Sequence, residues 1–147
     1  MKVFDCVKAL PILKEAKLTK MEDKEKMTVI KAMRALDKVA KEYEALVKEV
    51  KEKLKDERFE KMSRRGEEFN ASHRDGQALT AGEQQEVKEL NAYFADYNRR
   101  LDDVLKKEYE QEVTVEYERL KEDAFWRLLA SNDLTVEQLM ACETVLM

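Results

Sequence analysis

Two long stretches of regular apolar spacing, few turn-forming residues and a high density of charge predict a mainly α-helical protein. The expected form is a long antiparallel helical hairpin with a small terminal subdomain. The chain has 147 residues, of which 3 are glycine and 1 is proline. An all-β sandwich or barrel needs a turn signal about every 8–12 residues, and a P-loop or dinucleotide fingerprint needs clustered glycines. Both are excluded. Charged residues make up 41% of the chain and hydrophobic residues 44%, so the sequence can still close a core where a polar, charged chain of low hydrophobicity would stay disordered.

The first arm is expected over residues 24–65. Val29, Met33, Leu36, Ala40, Tyr43, Val47, Val50 and Leu54 follow one another at alternating steps of 4 and 3, the spacing of a coiled-coil seam. Ala32, Val39 and Leu46 widen that stripe on one side, which suits a bundle or hairpin better than a narrow two-stranded coil. Glu44–Lys48, Glu49–Lys53, Glu57–Lys61 and Glu60–Arg64 stand four apart in the favourable Glu-first order. No breaker occurs before Gly66. Residues 66–82 then read as a polar loop with a turn at Asp75-Gly76.

The second arm, residues 83–111, repeats the pattern with Val87, Leu90, Phe94, Tyr97, Leu101 and Val104. Thr80-Ala81-Gly82-Glu83 has the form of a capping box, in which Thr and Glu satisfy free amides at the helix start. Residues 112–147 and 1–20 form the terminal subdomain. Glu112–Tyr117 alternates and is β-branched, which predicts a short strand able to pair with Met1–Val7. The competing reading continues the helix through Val113, Tyr117, Leu120, Ala124 and Leu128. Pro11 suits the first turn of a short helix covering Ile12, Leu13, Ala16 and Leu18. Thr135 and Gln138 form a second capping box, opening an apolar helix that carries Val136, Leu139, Met140, Val145 and Leu146. Phe125, Trp126, Leu128 and Leu129 are expected to make a small core with it.

Charge is divided along the chain. Residues 1–65 hold 19 Lys/Arg against 13 Asp/Glu, and residues 66–147 hold 9 against 19, consistent with the total of −4. Such a split can mark a nucleic-acid arm or an acidic tail, but two facing arms of opposite balance account for it within one molecule. Arg34, Lys41, Lys48 and Lys55 form a basic row, yet Glu42, Glu49 and Asp56 form the row beside it. That, with a pI near 5.3, argues against nucleic acid as a partner. The Arg64-Arg65 end is the one place expected to carry an uncompensated basic patch.

Reactive chemistry finds little support. His73-Arg74-Asp75 echoes a kinase catalytic loop without any of its companion motifs. One histidine cannot supply the paired Glu-x-x-His motifs of a di-metal bundle, and Glu108 stands alone at the fading end of the second seam. Cys6 and Cys142 have no nearby base in the sequence plan, so a thiol nucleophile is poorly supported. Two cysteines do not make a disulfide framework, and free thiols in a reducing cytoplasm are expected. Asp5 and Lys8 interrupt any apolar signal core, and no stretch approaches the roughly 20 apolar residues of a membrane span. No membrane, cofactor or metal is expected.

The order of parts carries a family resemblance. Leu10-Pro11-Ile12-Leu13 precedes the lysine-rich first helix, a loop with Asp75-Gly76 leads to the second, and Glu112-Val113-Thr114-Val115-Glu116 and Leu134-Thr135-Val136-Glu137-Gln138-Leu139-Met140 close the chain. This arrangement resembles small phage- and prophage-encoded proteins of uncharacterised function found among virion and assembly genes. The resemblance implies a non-enzymatic interaction or assembly role, with protein partners or a second copy and a place in the host cytoplasm or a virion. The residues expected to meet a partner are Val39, Leu46, Arg64, Arg65, Trp126, Leu139 and Met140. The alternative is a phage-encoded regulator that binds or inhibits a host protein through the acidic half.

Overall fold

The computed structural model describes residues 1–72 and 78–147. The expected turn at Asp75-Gly76 and the motif at His73 lie outside the described residues. Six helices follow in order: α1 (Val3–Glu15), α2 (Asp23–Leu54), α3 (Phe59–Ser72), α4 (Ala81–Tyr109), α5 (Glu122–Ala130) and α6 (Val136–Leu146). The protein is mainly α-helical, and no strand forms among the described residues. Contacts divide the chain into two compact units, one of residues 1–46 with 107–147 and the other of residues 47–106.

The first unit holds the hydrophobic core. Leu13, Val29, Leu36, Leu128, Val145 and Leu146 are almost wholly buried, together with Cys6 and Cys142. Residues Met1–Val7, expected as a strand, are instead largely taken into α1. Its Cys6, Ala9, Leu10 and Leu13 are buried at helical spacing, and this face packs on α6. Burial on that face outweighs the local β-branched alternation. Pro11 lies in the body of α1, not at its first turn. It is exposed, and its missing N–H leaves one i→i−4 bond, to the Val7 carbonyl, unmade within the helix.

The strand expected at Glu112–Tyr117 is also absent. One isolated antiparallel bridge joins Lys2 and Glu112, through the Val3 amide to the Gln111 carbonyl at 3.0 Å and the Val113 amide to the Met1 carbonyl at 2.8 Å. Beyond it the backbone is neither strand nor helix until α5, so the helical alternative fails as well. The sequence alternation is still used. Val113, Val115 and Tyr117 pack against the core, while Thr114, Glu116 and Glu118 face outward. The alternation reported which side chains turn inward; it carried no information about a hydrogen-bonding neighbour. The segment's polar groups instead close α6: the Tyr117 hydroxyl donates to the Val145 carbonyl, Arg119 Nη1 donates to the same oxygen at 2.6 Å, and the Leu120 amide donates to the Leu146 carbonyl at 2.8 Å. These satisfy carbonyls that a helix C-terminus leaves free.

Both expected capping boxes form. The Thr135 hydroxyl accepts from the Gln138 amide at 3.2 Å while Gln138 Oε1 accepts from the Thr135 amide at 3.0 Å. Thr80 and Glu83 do the same at the start of α4, at 3.2 and 3.1 Å. Asn132 clips the segment after α1 in place, accepting from the Lys17 amide and donating to the Lys17 carbonyl, each at 2.7 Å.

In the second unit the helix expected to run to Gly66 ends at Leu54 and restarts at Phe59. Asp56 holds the break: its Oδ1 accepts from the Arg58 amide at 3.0 Å and from the Tyr93 hydroxyl at 2.6 Å. The break therefore depends on a residue far along the chain. Residues 66–72, expected as loop, continue α3 instead. Gly66 sits inside that helix with open space where a Cβ would project. The unit is tied by the Tyr97 hydroxyl to the Lys51 carbonyl at 3.1 Å, by Arg65 to Glu86 and Glu89, each at 3.5 Å, and by Phe59 against Tyr97 and Phe94 with ring centroids 4.9 and 5.9 Å apart.

Candidate functional site

The polar cleft of the first unit is the obvious place to look for chemistry. It has a volume of about 360 Å³ and is lined by Glu22, Lys24, Glu25, Thr28, Arg119 and Arg127, among others. At its centre Arg127 Nε donates to Glu25 Oε1 at 2.8 Å, its Nη2 meets Glu25 Oε2, and the same nitrogen reaches Asp123 at 3.2 Å. The Arg127 hydrogen bonds, helped by the Glu22 amide, pull the Glu25 carboxyl down to about 2. The pair raises the Arg127 guanidinium in turn. A carboxylate so firmly ionised is a poor proton carrier at neutral pH, so this constellation acts as a clamp between α2 and α5.

The thiols are equally quiet. Burial pushes Cys142 up to about 11, and burial with the nearby Asp5 charge raises Cys6. Both are free and buried, and the Cys6 thiol donates to Met1 Sδ at 3.4 Å. Protonated, enclosed thiols do not act as nucleophiles. Among the described residues no three His, Cys, Asp or Glu side chains gather as a metal ion would require. Likewise, no helix among them is long and apolar enough to cross a membrane.

On α6, Val136 is 75% and Met140 60% exposed. Phe4, Lys8, Glu137, Met140 and Thr144 line a shallow hollow between α1 and α6, which the Lys8–Glu137 ion pair crosses at 2.7 Å. Val136 and Met140 are one helical turn apart and share the outward face. Glu137 and Glu143 flank them, and α6 contains no basic residue.

A second hollow belongs to the second unit. It measures about 600 Å³ and is lined by Lys48, Lys51, Glu52, Lys55, Phe59, Tyr97, Asn98 and Leu101. Tyr97 and Leu101 form its buried floor. Lys55 is held by Glu52 at 2.8 Å and lies over the Phe59 ring at 4.9 Å. Among the described residues neither Lys48 nor Lys51 meets a carboxylate at ion-pair distance, and both are exposed. The floor is apolar and the rim basic.

The seven residues expected from the sequence are scattered over several surfaces. Val39 and Leu46 line one hollow with Tyr43, Glu108 and Val113. Leu139 and Met140 lie together on α6. Trp126 projects from α5, 63% exposed; it stands outside the small core assigned to it, because Phe125 and Leu128 take the buried face. Arg64 is exposed beside Glu60 and Glu67. Arg65 is compensated by Glu86 and Glu89, so the expected basic patch is halved. Phe4, Val136 and the Lys48–Lys51–Tyr97 hollow were missed. For Val136 the signal was present, as the residue just after the Thr135 cap on a short helix. The hollow had none, because it depends on the break after Leu54. Comparison with family models, with curated proteins and with solved structures finds no match to this chain.

Proposed function

We propose that the protein works by contact, as a non-enzymatic interaction or assembly protein that presents helical surfaces to a partner or to a second copy of itself. The observation that carries this reading is the outward face of α6. Val136 and Met140 remain open on a unit whose core is otherwise closed, and contiguous exposed apolar side chains with a polar surround mark interaction sites. The occupied Glu25 carboxylate and the protonated thiols support a role without catalysis.

The end of α2 continued by α3 on one side, and α4 on the other, serve in this reading as arms of an antiparallel hairpin. Supporting it, contacts in the second unit pair Lys51 with Tyr97, Asp56 with Tyr93 and Arg65 with Glu86, so advance on one side meets retreat on the other. The phage or prophage assembly setting rests on the resemblance described above.

Sedimentation velocity across a wide protein concentration range tests the self-contact form. A mass that rises with concentration is expected. A monomer of unchanged mass throughout would contradict it.

A further inference from the structure

We propose that copies of this chain join head to tail, with the outward face of α6 from one copy seated in the lysine-rimmed hollow of the next. This deepens the contact reading above and rests on it. The two surfaces match in three respects. The α6 face offers Val136 and Met140 at one-turn spacing, the pattern by which an amphipathic helix anchors in a groove. The hollow offers Tyr97 and Leu101 as an apolar floor with Phe59 at its side, and its volume of about 600 Å³ admits two such side chains.

Charge matches as well. The α6 face carries the unpaired Glu143, beside Glu137, which Lys8 of α1 holds at 2.7 Å, and no basic residue on the helix itself. The rim carries Lys48, Lys51 and Lys55 against the single Glu52. Glu143, Lys48 and Lys51 have no ion-pair partner among the described residues, so a second copy can supply the missing counter-charges. Complementary potentials of this kind set register and exclude wrong partners. The hollow's lysines come from the basic half of the sequence and α6 from the acidic half.

The joined surfaces are different patches, so the contact is heterologous. A heterologous contact leaves a free α6 face at one end of a pair and a free hollow at the other, and it propagates into a ring or an open chain. That property gives a direct test. Lys48→Glu with Lys51→Glu spoils the hollow and leaves α6 intact. Met140→Asp spoils α6 and leaves the hollow intact. All three positions are exposed, and circular dichroism checks that helix content is unchanged.

Sedimentation is run on the wild type, on each variant alone and on their equimolar mixture, from about 1 μM to about 1 mM. Self-association of the wild type is expected, weakened by about tenfold or more in each variant alone, the scale of a rim-charge or anchor loss. The mixture is expected to form a 1:1 pair that grows no further, because only one sound hollow meets one sound α6. Added salt weakens the pair, as screened charges require. Wild-type association that both variants retain, or a mixture that does not pair, overturns the head-to-tail contact while leaving the contact reading standing. A wild type that stays monomeric overturns the head-to-tail contact together with the self-contact form of that reading, and leaves contact with a different partner standing.

Discussion

The two units hold their helices together in different ways. Residues 1–46 with 107–147 enclose a continuous cluster in which Val29, Leu36, Leu128 and Val145 are fully buried. Residues 47–106 bury far less: Met62 is enclosed, with Leu90, Tyr97 and Leu101 nearly so. They rely on ring contacts, tyrosine hydroxyls and the Arg65 ion pairs. Apolar burial contributes about 1.5–3 kcal/mol per large side chain, whereas partly exposed ion pairs contribute about 0–1 kcal/mol. The first unit therefore carries most of the stability, and the second keeps its side chains nearer to solvent, where a hollow can remain open.

Deleting core volume should bring out this difference most strongly. Leu128→Ala is expected to cost about 4 kcal/mol, towards the upper end for a wholly enclosed leucine, and Leu90→Ala about 2 kcal/mol. Urea denaturation measures both. Equal losses would mean that the two units are packed alike.

Acid should also act on the first unit, through Glu25. Its carboxyl is held at about 2, against an ordinary value of 4.5. The folded state therefore gains from this group above about pH 4.5 and loses that gain as the pH falls towards about 2. Arg127→Ala removes the main cause of the shift. Stability measured across that window should fall less steeply with acid in the variant than in the wild type. An unchanged slope would show that Arg127 is not what holds Glu25.

Much of the helical plan was legible because its signals are local. The heptads of α2 and α4 and the Thr80 and Thr135 caps each depend on residues within a turn or two of one another. What escaped depended on distant partners. Asp56 breaks the first arm with the help of Tyr93, so no glycine or proline marked the spot. The start of the chain forms a helix whose Cys6, Ala9, Leu10 and Leu13 join the core of the first unit, with α1 packed on α6, and a seven-residue window could not reveal that cover. Residues Val113, Val115 and Tyr117 alternate as a strand would, yet beyond the single Lys2–Glu112 bridge the segment is in no strand. Trp126 is expected both in a small core and among the residues that meet a partner; helical rotation past Phe125 takes it out of the core and turns it outward.

Smaller effects sharpen the comparison further. Thr135→Ala in the first unit and Thr80→Ala in the second each remove one capping hydroxyl, at a cost of about 1 kcal/mol. A much larger loss for either, by thermal or urea unfolding, would mean that its helix start does more than cap. Smallest and of opposite sign, Gly66→Ala should stabilise the second unit by about 0.5–1 kcal/mol. Glycine is costly inside a helix, and open space awaits the methyl group. A loss of stability there would contradict the helical course of residues 66–72.

Hydrogen–deuterium exchange at peptide resolution, recorded at low and at high protein concentration, tests the central claim most directly. At low concentration the amides of α1 and α5 should exchange more slowly than those around residues 55–72. At high concentration, α6 and residues 47–59 should gain protection while α1 and α5 stay as they were. Uniform protection across the chain that does not change with concentration would contradict both the contrast between the units and the self-contact.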